Sequence, residues 1–593
     1  VPDRSGRGNV IIAIVDDAFE VNHPDLAANM VAGFDFVDND SDPSPEGSGE
    51  SHGTAVAGAA AAVGGNGIGI AGAAWRERIM PLRFGFDVAS QLEAFDFARF
   101  NNARIVNASF GGPGYSRAEV EAIEALDRAD ILFVASAGNQ DSNLDFSGAT
   151  YPANYQVGNV LAVAATNRQD GIASFSNYGP VTVPLAAPGL QIVTTTLDGG
   201  YTTDGISGTS FAAPYVAGIA ALIRDYLPTS TPRDIKARLI NAGEVGLDAG
   251  NPASLRTAGG RLDAATALAL TPGPSIVIRP QATSTYVPDY DSGGVDIPVV
   301  EAVIVDDEGN HRLDPGEATD LVIVLENLWL PASNVRVSLS ASDGVGVGIG
   351  ELALGTLAQG GTQTLRFPVS VPPTLTGYRQ LAFTLSISAD GGYSANRRFL
   401  LDSGRLVAGV TTSESFAAGL YDEFHTWVID VPTAGSRLTV QSTSRTDNDI
   451  DFFVRYGEPA QYSVDLDSVE DAPPSDTSEP FYFVNVPDAQ RGDQSLGGSE
   501  TVVVPSTRAG SYYITVINYD REPEADYTLR ATLSGGSAPG TTGGGSGGSS
   551  GGGSASPWLL AGLLLAGFGR RARRTAGSAG TAGGRALPAV PKA

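Results

Sequence analysis

The sequence predicts an α/β domain built on a parallel sheet, followed by two all-β sandwich domains and a C-terminal hydrophobic tail. Three observations predict it. Short apolar runs alternate with Ala-rich or amphipathic stretches up to residue 272, the pattern then changes to two-residue alternation, and a Gly/Ser tract finally separates these regions from one more apolar run. Residues 9–15, Asn-Val-Ile-Ile-Ala-Ile-Val, are closed by two acids, as a strand buried on both faces would be. Similar runs recur at 104–108, 131–135 and 160–165, with helical stretches at 54–63, 91–102 and 116–129 between them. Residues 210–226 read as a long buried helix. Thr231-Pro232 opens another, since proline at the first helical position loses no hydrogen bond. Thr-Pro-Gly-Pro near 272 ends the helical texture and bounds the first domain, 1–272.

Beyond it, 319–326, 334–339, 363–371 and 379–387 alternate residues of high β propensity and predict a sandwich over 275–402. A second set, 426–431, 437–441, 451–456, 500–504 and 511–518, predicts another over 405–534, in which at least one of Tyr512 and Tyr513 belongs to the core. Residues 535–556 are a flexible linker of Gly, Ser, Thr and Ala. The apolar segment and arginine cluster fill 557–574, and 575–593 read as a disordered tail. The run 557–569 has thirteen residues, short of the ~20 that span a bilayer, yet it lies between a tether and four arginines, with no domain to bury it. A transient membrane association through this tail is expected.

Composition removes several function classes. With no cysteine among 593 residues there is no disulfide framework, thiolate metal site or cysteine nucleophile, so a nucleophile must be Ser, Thr or a carboxylate. The net charge is −29, and the last 24 residues carry six bases and no acid, so the rest of the chain stands at −35. Such a body repels phosphate backbones, and no nucleic-acid partner is expected.

Three stretches bring together an acid, a base and a hydroxyl: Ile14-Val15-Asp16-Asp17 leading to His23-Pro24-Asp25-Leu26, Ser51-His52-Gly53-Thr54, and Ser207-Gly208-Thr209-Ser210-Phe211-Ala212-Ala213-Pro214. Singly, each has an ordinary reading: a strand-end cap, a turn histidine, an N-cap. Jointly they resemble the subtilisin-like serine proteases over residues 1–272, in the chain order Asp, His, Ser. The resemblance implies Ser210 as nucleophile, His52 as general base and Asp16 as its orienter, with Asn139 of Ala137-Gly138-Asn139 and the Ser210 N–H as oxyanion donors. Of the four histidines, two lie in the β-rich half and His23 precedes proline, which suits a packing role, so His52 is the base by setting.

The substrate groove expected from the same resemblance is Ser109, Phe110, Gly111 and Gly112, whose small side chains leave backbone for an extended peptide to pair with. Pocket walls fall to Ser136, Ala137, Gly138 and Thr150. Four aspartates crowd residues 35–42, either as a solvated turn or around a hard cation. Together with Asp16-Asp17 and the loop 63–70, this stretch looks like the kexin and proprotein-convertase branch. That likeness implies structural calcium held by Asp25 with Val63, Asn66, Ile68 and Ile70, and a second ion held by Asp35, Asp40 and Asp42. No catalytic cofactor is implied. The acids that select basic residues in the convertases fall here on Gly114 and Thr150, so dibasic specificity is not expected, and a broad or apolar/small preference is. Asp306 to Glu317 mimics an EF-hand loop at its ends, but its glycine stands at position 4, and an EF-hand is rejected. Residues 275–402 are similar to Ig-like modules, 405–534 to the pre-peptidase C-terminal domain, and the tail to GlyGly-type sorting tails of secreted bacterial proteins.

The expected protein is therefore a secreted or cell-surface bacterial serine endopeptidase, monomeric, acting on proteins or peptides, and tethered by its tail until processed, with processing by a sorting protease. Its signal and pro-segments are expected to have been removed or to lie upstream. Two rivals stand beside it: a catalytically idle adhesin that displays its β modules, and a membrane-bound structural protein suggested by the tail alone.

Overall fold

Strands buried on both faces need helices on both sides, and the computed structural model of the chain shows how this sequence supplies them. It describes residues 5–535 apart from 48, 113, 141, 146–149, 174, 244–259, 284–298, 302, 307–311, 417–423, 445–449, 458–461, 465–480, 484–489, 492–498 and 519–525. Nearly all of the linker, the apolar segment, the arginine cluster, the tail and residues 307–311 of the EF-hand-like loop thus lie outside the described residues. Among those described, no helix is long and apolar enough to cross a membrane.

The first region contains β1 (Ile11–Asp16), β2 (Phe34–Asp35), α1 (His52–Ala61), β3 (Arg78–Arg83), α2 (Val88–Phe100), β4 (Ile105–Ala108) and α3 (Arg117–Arg128). It continues with β5 (Leu132–Ser136), β6 (Val160–Thr166), β7 (Leu185–Pro188), the short pair β8 (Thr195–Thr196) and β9 (Gly200–Tyr201), α4 (Thr209–Tyr226), α5 (Pro232–Ala242) and α6 (Ala264–Ala269). Seven strands form one parallel sheet in the order β2-β3-β1-β4-β5-β6-β7. Alternate residues of each strand serve opposite faces. Ile12, Ile14, Leu132, Val134 and Leu161 pack with α1 and α4, while Ala13, Val15, Val106, Phe133 and Ala162 pack with α2 and α3.

Expected strands and helices are found within a few residues of their predicted limits. Three sheet strands were not anticipated. β3 carries Arg78, Pro81 and Arg83, so it has no continuous apolar run, and β2 is two residues long. β7, Leu-Ala-Ala-Pro, is too small-chained to stand out.

The chain turns back between β1 and β4: strands β2 and β3 lie to one side of β1, and β4 to β7 to the other. In open parallel sheets a crevice opens at the carboxyl ends of strands at such a reversal, because the connections there leave in opposite directions. Asp16 ends β1, and Ser109 follows β4.

The β-rich half holds two further pairs of antiparallel sheets. Ile276–Ile278, Ala318–Asn327, Thr362–Ser370 and Gly346–Val347 form one path facing Leu352–Leu357, Ala332–Ala341, Arg379–Ala389 and Tyr393–Ser403, with Phe367, Phe383 and Phe399 in the shared core. Thr411–Ser415, Asp526–Ser534, Arg437–Ser444 and Ser499–Val504 face Phe424–Val431, Gly510–Asn518, Ile450–Tyr456 and Gln490–Arg491 around Trp427, Phe452 and Tyr527. Both Tyr512 and Tyr513 are buried. The first sandwich meets the α/β layer where Trp329 and Leu328 cover Ala237 and Ile240 of α5, with Arg238 lying over the Trp329 ring. Beside that seam the Lys236 ammonium donates to Val160 O at 2.7 Å, and burial lowers its pKa to about 8.

Candidate active site

The carboxylate at the end of β1 reaches the first residue of α1: His52 Nδ1 lies 2.7 Å from Asp16 Oδ1. Asp16 is buried and the imidazole mostly so. A buried carboxylate held this close accepts the Nδ1 proton and so leaves Nε2 as the basic nitrogen. The imidazole centroid stands 5.3 Å from the Phe211 ring, which brings it beside the first turn of α4, where Ser210 sits. Asp17, the next residue, serves the backbone of the same helix. Its Oδ2 accepts from His52 N at 3.1 Å, and its Oδ1 from Gly53 N at 2.7 Å and Ala18 N at 2.6 Å. Burial, then the neighbouring Asp16 charge, pushes the Asp17 carboxyl up to about 6.

Ser210 lies at the start of α4 behind Gly208, whose φ of +157° is a conformation that side-chain-bearing residues rarely adopt. Two reciprocal bonds join this turn to the segment after β4. The Ser210 hydroxyl donates to Ser109 O at 3.1 Å, and the Ser109 hydroxyl donates to Ser210 O at 2.8 Å. The Ser210 hydroxyl thus donates to Ser109 O, a difference from the arrangement expected, in which it faces the imidazole.

Asn139 is oriented by elimination. Its side-chain oxygen accepts from Thr209 N and Thr209 Oγ1, both at 2.9 Å. A backbone N–H can only donate, so the atom facing it must be the amide oxygen, and the amide nitrogen is turned the other way. A Cβ at Gly208 would lie 3.6 Å from that nitrogen. Gly138 precedes with φ +100°, and a side chain there would strike Asn177 and Gln140.

Gly112 exchanges both backbone hydrogen bonds with Tyr151, at 2.9 and 2.7 Å, an isolated bridge that lays the end of 109–112 beside Thr150. A Cβ at Gly111 would lie 2.9 Å from the Thr150 methyl, so these two residues are in direct contact. Ser136 ends β5 with its hydroxyl reaching Phe110 O at 3.5 Å, Ala137 follows it, and the Phe110 ring packs tilted against Phe84 with centroids 4.7 Å apart. Asn177 organises this corner. Its oxygen accepts from Gln140 N and Ser142 N, and its nitrogen donates to Ala137 O and reaches Thr150 Oγ1. Nothing in the polar segment around Asn177 marked it in the sequence, nor did anything mark Thr209 as the partner of Asn139. His23 is wholly buried between Gly200 O and the Asp25 N–H, a packing position.

The loop expected to hold calcium closes around Asp25, whose carboxylate is wholly buried and accepts from Asn66 Nδ2 at 2.6 Å and Ile70 N at 2.9 Å. Among the described residues it makes no ion pair with Arg or Lys. One carboxylate, the Asn66 amide and the carbonyls of Val63, Ile68 and Ile70 would offer oxygen alone, the donor type a hard cation takes, while the Asn66 oxygen here accepts from Ile68 N at 3.2 Å. The other set does not fit. Arg83 Nη1 takes Asp35 at 2.7 Å and Asp38 at 3.0 Å, and Nη2 takes Glu50 at 3.1 Å. Asp40 and Asp42 turn instead to the N–H groups of Asp42 and Ser44. A guanidinium stands where a shared ion was expected, and no group of three or more acids or histidines gathers for a metal among the described residues.

The chain has recognisable relatives. The family model described as the subtilase family matches residues 7–260. Thermitase of Thermoactinomyces vulgaris is 40% identical over 217 residues, covering 36% of this chain and 74% of thermitase. The chain belongs to the subtilase family. This subtilase is also 40% identical, over 223 residues, to the thermophilic serine proteinase of Bacillus sp. (strain AK1), with 37% of the chain and 53% of that proteinase covered. It thus spans about half the length of that relative. Among solved structures, a protease from Pseudoalteromonas arctica PAMC 21717 is 29% identical over 45% of this subtilase and 91% of its own chain, with a TM-score of 0.40.

Proposed function

We propose that this subtilase is a serine endopeptidase. The observation that carries the reading is the Asp16 carboxylate pinning His52 Nδ1 at 2.7 Å, at the reversal of the sheet and beside the turn that bears Ser210. Once Ser210 rotates away from Ser109 O, its Oγ bonds to the substrate carbonyl carbon while its proton passes to His52 Nε2. The C–N bond then breaks as that proton goes to the leaving amine, and water repeats the sequence to free the acid. The carbonyl oxygen gains charge in each tetrahedral species. The Asn139 amide nitrogen and the Ser210 N–H at the head of α4 are the donors that meet it. Ser210→Ala should abolish hydrolysis with thermal unfolding nearly unchanged, and a fluorophosphonate should label the native protein once per chain. Undiminished turnover in the variant would overturn the assignment. An idle adhesin, the rival reading, predicts no labelling.

Extended peptide would pair with 109–112, and the corner of Thr150, Ser136 and Asn177 carries no charge, which supports a broad, apolar or small preference at the residue before the cut. Profiling on a peptide library decides this, and strong selection for Arg or Lys would contradict it. Asp25, Val63, Asn66, Ile68 and Ile70 would hold one calcium ion, which would neutralise a buried carboxylate and brace the loop without entering the reaction. We also read 275–402 and 405–534 as Ig-like and pre-peptidase C-terminal-like modules of a secreted or surface-tethered enzyme. The two sandwiches and the Gly/Ser-tethered tail support that reading.

A further inference from the structure

α1 must hold an imidazole in place with its first residue, yet it has no N-cap of its own. Ser51 makes no side-chain bond to the helix, and no acid stands in the first turn. The four leading N–H groups of a helix need acceptors, and a frayed first turn would move His52 bodily. The acceptor comes from another element. Asp17, one residue beyond the end of β1, takes the His52 and Gly53 N–H groups on its two oxygens and ties itself to Ala18 N. Asp16 in turn accepts the Asp17 N–H at 2.9 Å on the same oxygen that meets the imidazole. The two adjacent carboxylates act in concert on one residue. Asp16 holds the ring, and Asp17 holds the backbone from which the ring hangs.

We propose that Asp17, as the ionised carboxylate, is a positioning residue for His52, clamping the first turn of α1 so that the imidazole keeps its line between Asp16 and Ser210. This rests on the reading of His52 as the base. The ion is needed because each oxygen must accept. A proton on either one would set an O–H against a backbone N–H that also only donates.

The charged groups facing Asp17 are Asp16 and His52. Glu20, three residues on, turns its carboxylate to Gly199 N, and Glu50 on the approach to α1 is paired with Arg83. Burial and the Asp16 charge oppose its ionisation more than the Gly53 N–H and His52 favour it, so Asp17 takes up its proton near pH 6. The clamp should therefore loosen as the pH falls through about 6.

The test is the acid limb of kcat/KM. In the native enzyme, the acid limb of log kcat/KM should be steeper than the slope of one that a single group gives, because Asp17 adds its own proton near pH 6. In Asp17→Asn the slope should be one, and the plateau kcat roughly tenfold lower with KM little changed, because the amide presents an NH2 to the His52 N–H. A native slope of one, an Asp17→Asn limb as steep as the native one, or an unaltered kcat in the variant would each overturn the proposal. The native slope decides the matter even where the variant does not fold. Fluorophosphonate labelling of native protein separates the two levels: labelling with a one-proton limb defeats the clamp alone, whereas no labelling removes the base and the clamp with it.

Discussion

Asp145 shows what burial does to a carboxylate that has hydrogen bonds but no cation. It is wholly buried beyond the end of β5 and accepts from Thr182 N at 2.7 Å and from Val181 N. Desolvation outweighs these bonds and pushes its pKa up to about 6 from 3.8. A folded state whose acid is weaker than in the unfolded chain binds more protons, so the contribution is largest below about pH 4 and declines as the pH rises through about 6. The difference amounts to about 3 kcal/mol at about 1.36 kcal/mol per pH unit. Asp145→Asn, which keeps one acceptor, should flatten that part of the stability profile in urea titrations at about pH 4 to 7; an unaltered slope would contradict this origin. At this scale the sequence was legible where chemistry is local. Asp16, His52, Ser210 and Asn139 stand in short motifs, and the structure gathers them at one end of the sheet. Asp17, Thr209 and Asn177 were not legible in these roles, because what each does depends on a partner brought close only by the fold.

At the scale of elements, α1 and α4 are the pair that matters, since one carries His52 and the other Ser210. They approach closely because the facing residues are small. A Cβ on Gly218 would lie 2.7 Å from both Ala60 O and the Ala73 methyl, and one on Gly58 would strike Thr194 and Thr195. Gly218→Ala gains helix propensity but must force α4 away from α1. Overpacking of this kind costs about 1–3 kcal/mol, more than the propensity gain of under about 1. A lower Tm together with reduced kcat is expected, and a raised Tm would show that the helices can part freely. The helices were legible from Ala-rich and amphipathic runs, as was the parallel sheet from buried strands. β3 escaped because arginines frame it, and one of them, Arg83, is the residue that claims Asp35 and Asp38. The same strand bears on the ion expected among Asp35, Asp40 and Asp42, since it delivers the guanidinium that pairs with Asp35.

For the whole molecule, the buried Asp25 loop ties the segment after β1 to the one after α1, so a bound cation would stabilise the native state in proportion to its occupancy. Chelation should lower Tm by several degrees, calcium should restore it, and Asp25→Asn should remove the difference; an unchanged Tm on chelation would argue against the site. The division into one α/β region and two β regions was legible from the change in hydrophobic period, whereas the seam at Trp329 was not, because nothing local distinguishes a covered tryptophan from an exposed one. The order of elements along the chain also bears on timing. The acid and the base are made early, on β1 and α1, but the hydroxyl arrives on α4, after all seven strands of the sheet, and that helix is buried along almost its full length. The hydroxyl is therefore the last of the three groups to leave the ribosome, and a nascent chain cut short before α4 would carry Asp16 and His52 without their third partner.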